Sequence, residues 1–129
     1  MAIARIEVLA GLSRAERRAR IEAVRGALVE ALRVPADDPT VHLVELDAEN
    51  VILPRDTSRQ YTVVEITLFA GRSLDAKRNL YQKLFGALDA IGIASADILV
   101  VLIESPTQNW GVQGGVPASE VEIGFEIEI

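Results

Sequence analysis

Cysteine is absent from the chain, which removes disulfides, thiol nucleophiles and zinc-cysteine sites. The single histidine, His42, cannot form a histidine cluster by itself, so any metal would have to be held by carboxylates alone. Metal chemistry is not expected, and no cofactor is implied. Basic charge is also short: 13 Lys and Arg stand against 19 Asp and Glu, for a formal net charge of -6. A nucleic-acid or anionic-membrane surface calls for the opposite excess, so neither partner is expected. Long apolar runs are missing as well. The longest, Ile98 to Ile103, is far too short to span a bilayer, and Arg5 and Glu7 interrupt the N-terminus before a signal-peptide core forms. These absences predict a cytoplasmic protein.

What is present is a regular pattern. The chain of 129 residues is half apolar, enough for one domain, residues 1–129, that buries roughly two thirds of its unfolded surface. Ala2, Ala4, Ile6 and Val8 alternate with Arg5 and Glu7, the period of a strand with one buried face. Gly11 breaks it, and Ser13 with Glu16 forms a capping box opening a helix whose apolar positions are Ile21, Val24, Leu28, Ala31 and Leu32. Arg14, Arg17, Arg18, Arg20 and Arg25 read as its solvated face, relieved by Glu16, Glu22 and Glu30. Pro35 ends the helix near Val34, and Val41 to Leu46 reads as a second strand in which His42 is structural.

After a polar excursion from Asp47 to Gln60, typical of a loop over a site or interface, the pattern starts again. Val64, Ile66 and Leu68 alternate, Ser73 caps a helix with the stripe Tyr81, Leu84, Leu88 and Ile91, Gly92 ends it, and Ile98 to Ile103 suits a strand covered on both faces. Laid over one another at an offset of 60, the halves pair Gly11 with Gly71, Ser13 with Ser73, and Gly26-Ala27-Leu28 with Gly86-Ala87-Leu88; at 59, Asp38 meets Asp97. The expected fold is therefore α/β, an α+β sandwich: tandem βαβ units, about 2–46 and 61–104, share one sheet with helices on one face. The extension 105–129 carries the only tryptophan, Trp110, among turn-forming glycines, then an alternating segment from Val121 to Ile129 expected to pair with a neighbouring subunit.

The repeat isolates one residue. At the second strand-to-helix joint Arg72 stands where the first copy has Leu12. A cation at a helix start opposes the positive end of the helix dipole, which points to an anion bound there; a planar guanidinium holds a carboxylate bidentately. The alternative for Arg72 is a surface ion pair.

The strand beginning at the second residue, the turn Val34-Pro35-Ala36 followed by Asp38, the joint Gly71-Arg72-Ser73 and the late Asn109-Trp110-Gly111 with Gly114-Gly115 together resemble the tautomerase superfamily, and within it the malonate semialdehyde decarboxylase group. The resemblance implies βαβ repeats assembled as a trimer or hexamer, an active site near subunit boundaries, and an N-terminal catalytic proline freed by removal of the initiator methionine. Ala2 stands in place of that proline, and Ala70 in place of a second arginine of the group. The resemblance further implies that Arg72 anchors a small keto or enol carboxylic acid, that Asp38 activates or orients water, and that Trp110 walls the pocket. A free α-amine at Ala2 titrates near neutrality and can act as a general base for tautomerisation, or condense with a β-keto acid to an imine that loses carbon dioxide. Asp38 can equally be a turn residue, and Trp110 a packing residue. The competing function is a catalytically weak or inactive oligomeric carboxylate-binding homologue that has lost the proline.

Overall fold

In the computed structural model of the chain, which describes residues 1–127, the two alternating segments become paired strands of one sheet. β1 (Ala2–Leu9), β2 (Thr40–Leu46), β3 (Thr62–Phe69) and β4 (Ile98–Ser105) lie in the order β2-β1-β3-β4. Each repeat supplies a parallel pair, β1 with β2 and β3 with β4, joined by the helices α1 (Arg14–Leu32) and α2 (Leu74–Ala90). The two repeats meet through the antiparallel β1–β3 pair, which runs from Ala2 opposite Leu68 to Glu7 opposite Val63. The expected tandem βαβ sheet is therefore present. A two-stranded hairpin, β5 (Gly111–Val112) with β6 (Val116–Pro117), follows. Its turn takes positive φ at Gln113, Gly114 and Gly115 (46°, 84° and 116°), which the paired glycines accept without a Cβ clash.

Burial follows the period-2 pattern. Ala4 and Ile6 of β1 and Val64, Ile66 and Leu68 of β3 are fully buried in one core with Val24 and Leu28 of α1 and Leu84 and Leu88 of α2. The capping box forms as expected: the Ser13 hydroxyl accepts from the Glu16 amide at 3.1 Å, and the Glu16 carboxylate accepts from the Ser13 amide at 3.0 Å. In the second copy Ser73 accepts from the Ala76 amide at 3.1 Å. The arginine face of α1 is largely solvated, with Arg18 and Arg25 both paired to Glu22.

Several expectations need correction. Arg20 is not on the solvated face; it is buried, at the position where the second copy has Leu80. Its long stem lies against the core while Nη1 returns to the Glu16 carbonyl at 3.0 Å, which is how an arginine survives at an apolar position. α1 stops at Leu32, before the proline, because Arg33 adopts the left-handed conformation (φ 55°). The buried stripe of α2 is Leu80, Leu84 and Leu88; Tyr81 is only partly covered and Ile91 is exposed. β4 is an edge strand covered on one face in this chain, leaving Leu99, Val101 and Ile103 exposed. Residues 121–127 pair with neither sheet within the chain, although their burial still alternates from Val121 to Ile127. The last two residues of that expected strand, Glu128 and Ile129, lie outside the described residues.

Leu28 is fully buried between helix and sheet, whereas Ile52 in the loop is 99% exposed. Leu28→Ala is expected to lower unfolding free energy by about 2–5 kcal/mol, and Ile52→Ala to change it by less than about 0.5 kcal/mol, both read from urea denaturation midpoints. A larger effect at Ile52 would contradict this assignment of core and surface.

Candidate active site

The antiparallel β1–β3 pair brings the start of the chain to the end of β3. Because Ala2 lies opposite Leu68, the first residues stand beside Phe69-Ala70-Gly71-Arg72, the joint that opens α2. The parallel β1–β2 pair brings the turn before β2 to the same edge, with Ile3 opposite Thr40, so Asp37 and Asp38 arrive there too. Three expected site residues, Ala2, Asp38 and Arg72, thereby converge from three separated stretches of sequence.

With Met1 in place, the α-ammonium beside Asp38 is that of Met1, at 3.3 Å from Oδ2. That oxygen is buried and makes no closer hydrogen bond among the described residues. Arg72 is buried on the inner side of this pair. Its Nη2 donates to the Leu32 carbonyl at 3.2 Å, satisfying one open carbonyl at the end of α1, while its Nε is buried with no hydrogen-bond partner among the described residues. Ala2 is buried as the first residue of β1, and its nitrogen is here a peptide nitrogen.

The charges act on one another. Burial lowers the pKa of the α-ammonium, the carboxylate of Asp38 opposes that shift, and the guanidinium of Arg72 adds to it. Burial likewise lowers the pKa of Arg72, with Asp38 again opposing. A cleft of about 470 Å³ opens over the group, lined by Met1, Ala2, Asp37, Asp38, Trp110 and Val112 among others. Trp110 is held from behind: its ring meets Phe69 edge-on at 4.9 Å, Phe69 stacks on Phe125 at 6.3 Å, and the indole Nε1 donates to the Ser105 carbonyl at 3.3 Å.

The equivalent place in the second repeat is closed. Asp97 corresponds to Asp38, but its two carboxylate oxygens accept from the amide and the hydroxyl of Ser58, both at 2.6 Å. The polar excursion before β3 thus supplies internally what the chain's own end supplies at Asp38. A larger cleft of about 520 Å³ between α1 and α2, lined by Gly26, Ala27, Gly86 and Ala87 with Glu22, Glu30, Gln82 and Lys83, has its charges in surface ion pairs, Lys83 with Glu30 at 2.7 Å and Glu22 with Arg18 and Arg25, and no buried polar group among the described residues. His42 is exposed on β2 and does not line the candidate cleft. Among the described residues no three His, Cys, Asp or Glu side chains come together to hold a metal, and no helix is long and apolar enough to cross a membrane.

Sequence reasoning missed Asp37 at the rim, the unpartnered Nε of Arg72, and the Phe69 and Phe125 support of Trp110. Asp37 had a signal, adjacency to Asp38. The aromatic contacts join positions far apart in the chain and had none.

The sequence and the fold both have known relatives. The sequence model of a family described as tautomerase enzyme matches residues 41–113, more than half of the chain. A malonate semialdehyde decarboxylase inhibited by 3-bromopropiolate is 31% identical, with 86% of this chain and 88% of that chain covered and a TM-score of 0.72. A fused 4-OT, a wild-type symmetric trimer, is 27% identical over 91% of this chain and 96% of its own, with a TM-score of 0.80. A malonate semialdehyde decarboxylase studied as wild type, as a proline-to-alanine variant and in inactivated form shares the fold at 24% identity, covering 86% of this chain and 90% of its own, with a TM-score of 0.79. By the extent of the family match, and by the decarboxylase that is 31% identical over most of both chains, this chain belongs to the tautomerase enzyme family.

Proposed function

We propose that the protein is an enzyme acting on a small keto or enol carboxylic acid, with Arg72 anchoring the carboxylate and the N-terminal amine and Asp38 carrying out proton or water chemistry beside it. The observation that carries this reading is a buried guanidinium with an unpartnered Nε, within electrostatic reach of an amine and a carboxylate that line an open cleft. The guanidinium is a poor structural choice alone: a buried charge is costly unless something completes its bonding. A substrate carboxylate would complete Arg72.

Removal of Met1 would free the amine of Ala2, which already lines the cleft. Two reactions then fit. As a neutral base the amine takes a proton from the carbon beside a keto group and returns it elsewhere, a tautomerisation. As a nucleophile it condenses with a β-keto acid, releasing water and forming a protonated imine; the electrons of the bond to carbon dioxide then move into the imine, giving an enamine that is protonated at carbon and hydrolysed. Asp38 offers a third route, taking a proton from a water that adds to the carbonyl while the ammonium acts as its cationic partner. Trp110 walls the pocket and excludes water, which strengthens the charges inside. One of the relatives above is described by decarboxylase and hydratase activities, in line with the second and third routes.

We take the chain to act as one domain in a homo-oligomer, a trimer, in the cytoplasm. Support comes from the trimeric fused 4-OT relatives and from Ile3, Leu99, Val101 and Ile103, exposed apolar residues on the open face of the sheet. A second reading, a carboxylate-binding homologue with little or no catalysis, is favoured by Ala2 and Ala70 at the positions where the resemblance calls for proline and arginine.

Incubation with keto acids and enol pyruvates is expected to show turnover above buffer, reduced about 10- to 100-fold in kcat/KM by Arg72→Gln. Tight carboxylate binding without turnover would favour the second reading, and neither binding nor turnover would remove both. Intact mass, taken before and after borohydride reduction with a keto acid, is expected to show loss of Met1 and, for the imine route, a reduced adduct on the new N-terminus.

The amine also has a pH signature. In chain that keeps Met1, Asp38→Asn is expected to lower the α-amine pKa further, because it removes the group that raises it, and Arg72→Gln to raise it. The pH dependence of α-amine labelling measures both. The folded chain holds this proton less tightly than the unfolded chain, so the group's contribution makes stability rise as pH climbs through the folded pKa, levelling off above the unfolded value of about 8. An amine titrating above that value would contradict the assignment.

A further inference from the structure

Among the described residues, the charged side chains lining the cleft are Asp37 and Asp38, both negative, and the one cation in the lining is the ammonium of Met1. Arg72 is buried behind them and is not itself a wall of the cleft. The cleft wall therefore carries two carboxylates against one ammonium, and only one of the two carboxylates is paired with it. We infer that the cleft selects an acid with a single carboxylate whose far end is neutral or cationic, and that Asp37 sets this selection. The inference rests on the proposed role of Arg72 as carboxylate anchor and adds what lies at the other end of the ligand.

Asp38 is committed to the ammonium at 3.3 Å. Asp37 is exposed, and among the described residues no hydrogen bond or ion pair neutralises its carboxylate, so its charge faces whatever extends out of the cleft. A second carboxylate on the ligand would meet that charge, and like charges at close range repel. Pro35, Val112 and Trp110 supply apolar contact for a methylene chain between the two ends. Being at the rim, Asp37 acts through a partly screened field, so the discrimination is moderate and sensitive to salt.

Three length-matched acids that cannot react test the point: hexanoate, adipate and 6-aminohexanoate, titrated against the full chain with the fluorescence of Trp110, the only tryptophan, as readout. At low salt, adipate is expected to bind about three- to tenfold more weakly than the other two. Asp37→Asn should bring adipate to within about twofold of hexanoate, and about 1 M salt should narrow the gap in the parent chain. Adipate binding as tightly as hexanoate, or a ratio that Asp37→Asn leaves unchanged, overturns the inference. In that case, if Arg72→Gln weakens all the acids, the anchoring role survives without it. Failure of every acid to bind the parent chain overturns the anchoring role, and the inference with it.

Discussion

The antiparallel pairing of β1 with β3 is the constraint from which the rest follows. Each repeat alone is a parallel pair and a helix, with an apolar sheet face too small to make a core. Joining them edge to edge doubles the buried face and sets the two helices side by side on it. It also reverses one repeat relative to the other, so the beginning of each repeat meets the strand-to-helix joint of its partner. Ala2 faces Leu68, next to the joint of Arg72; at the other end Glu7 faces Val63, next to the joint of Leu12. One fold thus creates two equivalent corners, and the sequence treats them differently.

At the corner of Arg72 the amine of Met1 lies beside Asp38. At the corner of Leu12 the chain arrives from the preceding loop, and Ser58 fills the position with its amide and hydroxyl. Buried guanidinium groups follow the same asymmetry. Arg20, on the helix of the Leu12 corner, reaches back to the carbonyl of its own helix, whereas Arg72 crosses to Leu32 of the other helix. Both leave Nε unpartnered, but only Arg72 has a carboxylate and an amine within electrostatic reach at an open cleft. An unpartnered Nε is thus no sign of a site by itself; its neighbours make the difference.

How much of this was legible depended on the range of the interaction. Strand alternation, the Ser13–Glu16 box, the Ser73 cap and the Gly71 break are local, and all appear where the sequence put them. The repeat carried the reading further, since equal spacing of Gly11 and Gly71 implied equal units and hence one shared sheet. The failures are long-range. An arginine in the α1 stripe looks solvated until its neighbour Glu16 offers a carbonyl inside the helix's own turn. Ile98 to Ile103 reads as covered on both faces because periodicity cannot distinguish a strand flanked within the chain from an edge strand whose open face is apolar. Phe69, Trp110 and Phe125 meet only through tertiary packing. Of the candidate site, Arg72 stands out when the two copies are compared, and Asp38 is ambiguous because Asp97 repeats it.

That ambiguity turns into an internal control once the contacts are known. An aspartate in this turn kept for structure looks like Asp97: both oxygens occupied by short hydrogen bonds from an ordered loop, in a corner closed to solvent chemistry. Asp38 has the same position in the repeat and none of that support; its Oδ2 meets only the end of the chain, at 3.3 Å, in the wall of a cleft. If the turn needed its aspartate saturated, the same solution was available at both corners. Leaving Asp38 to a single 3.3 Å contact costs stability that Asp97 does not, and a carboxylate kept incompletely satisfied near a buried guanidinium is the arrangement expected where a ligand completes the network.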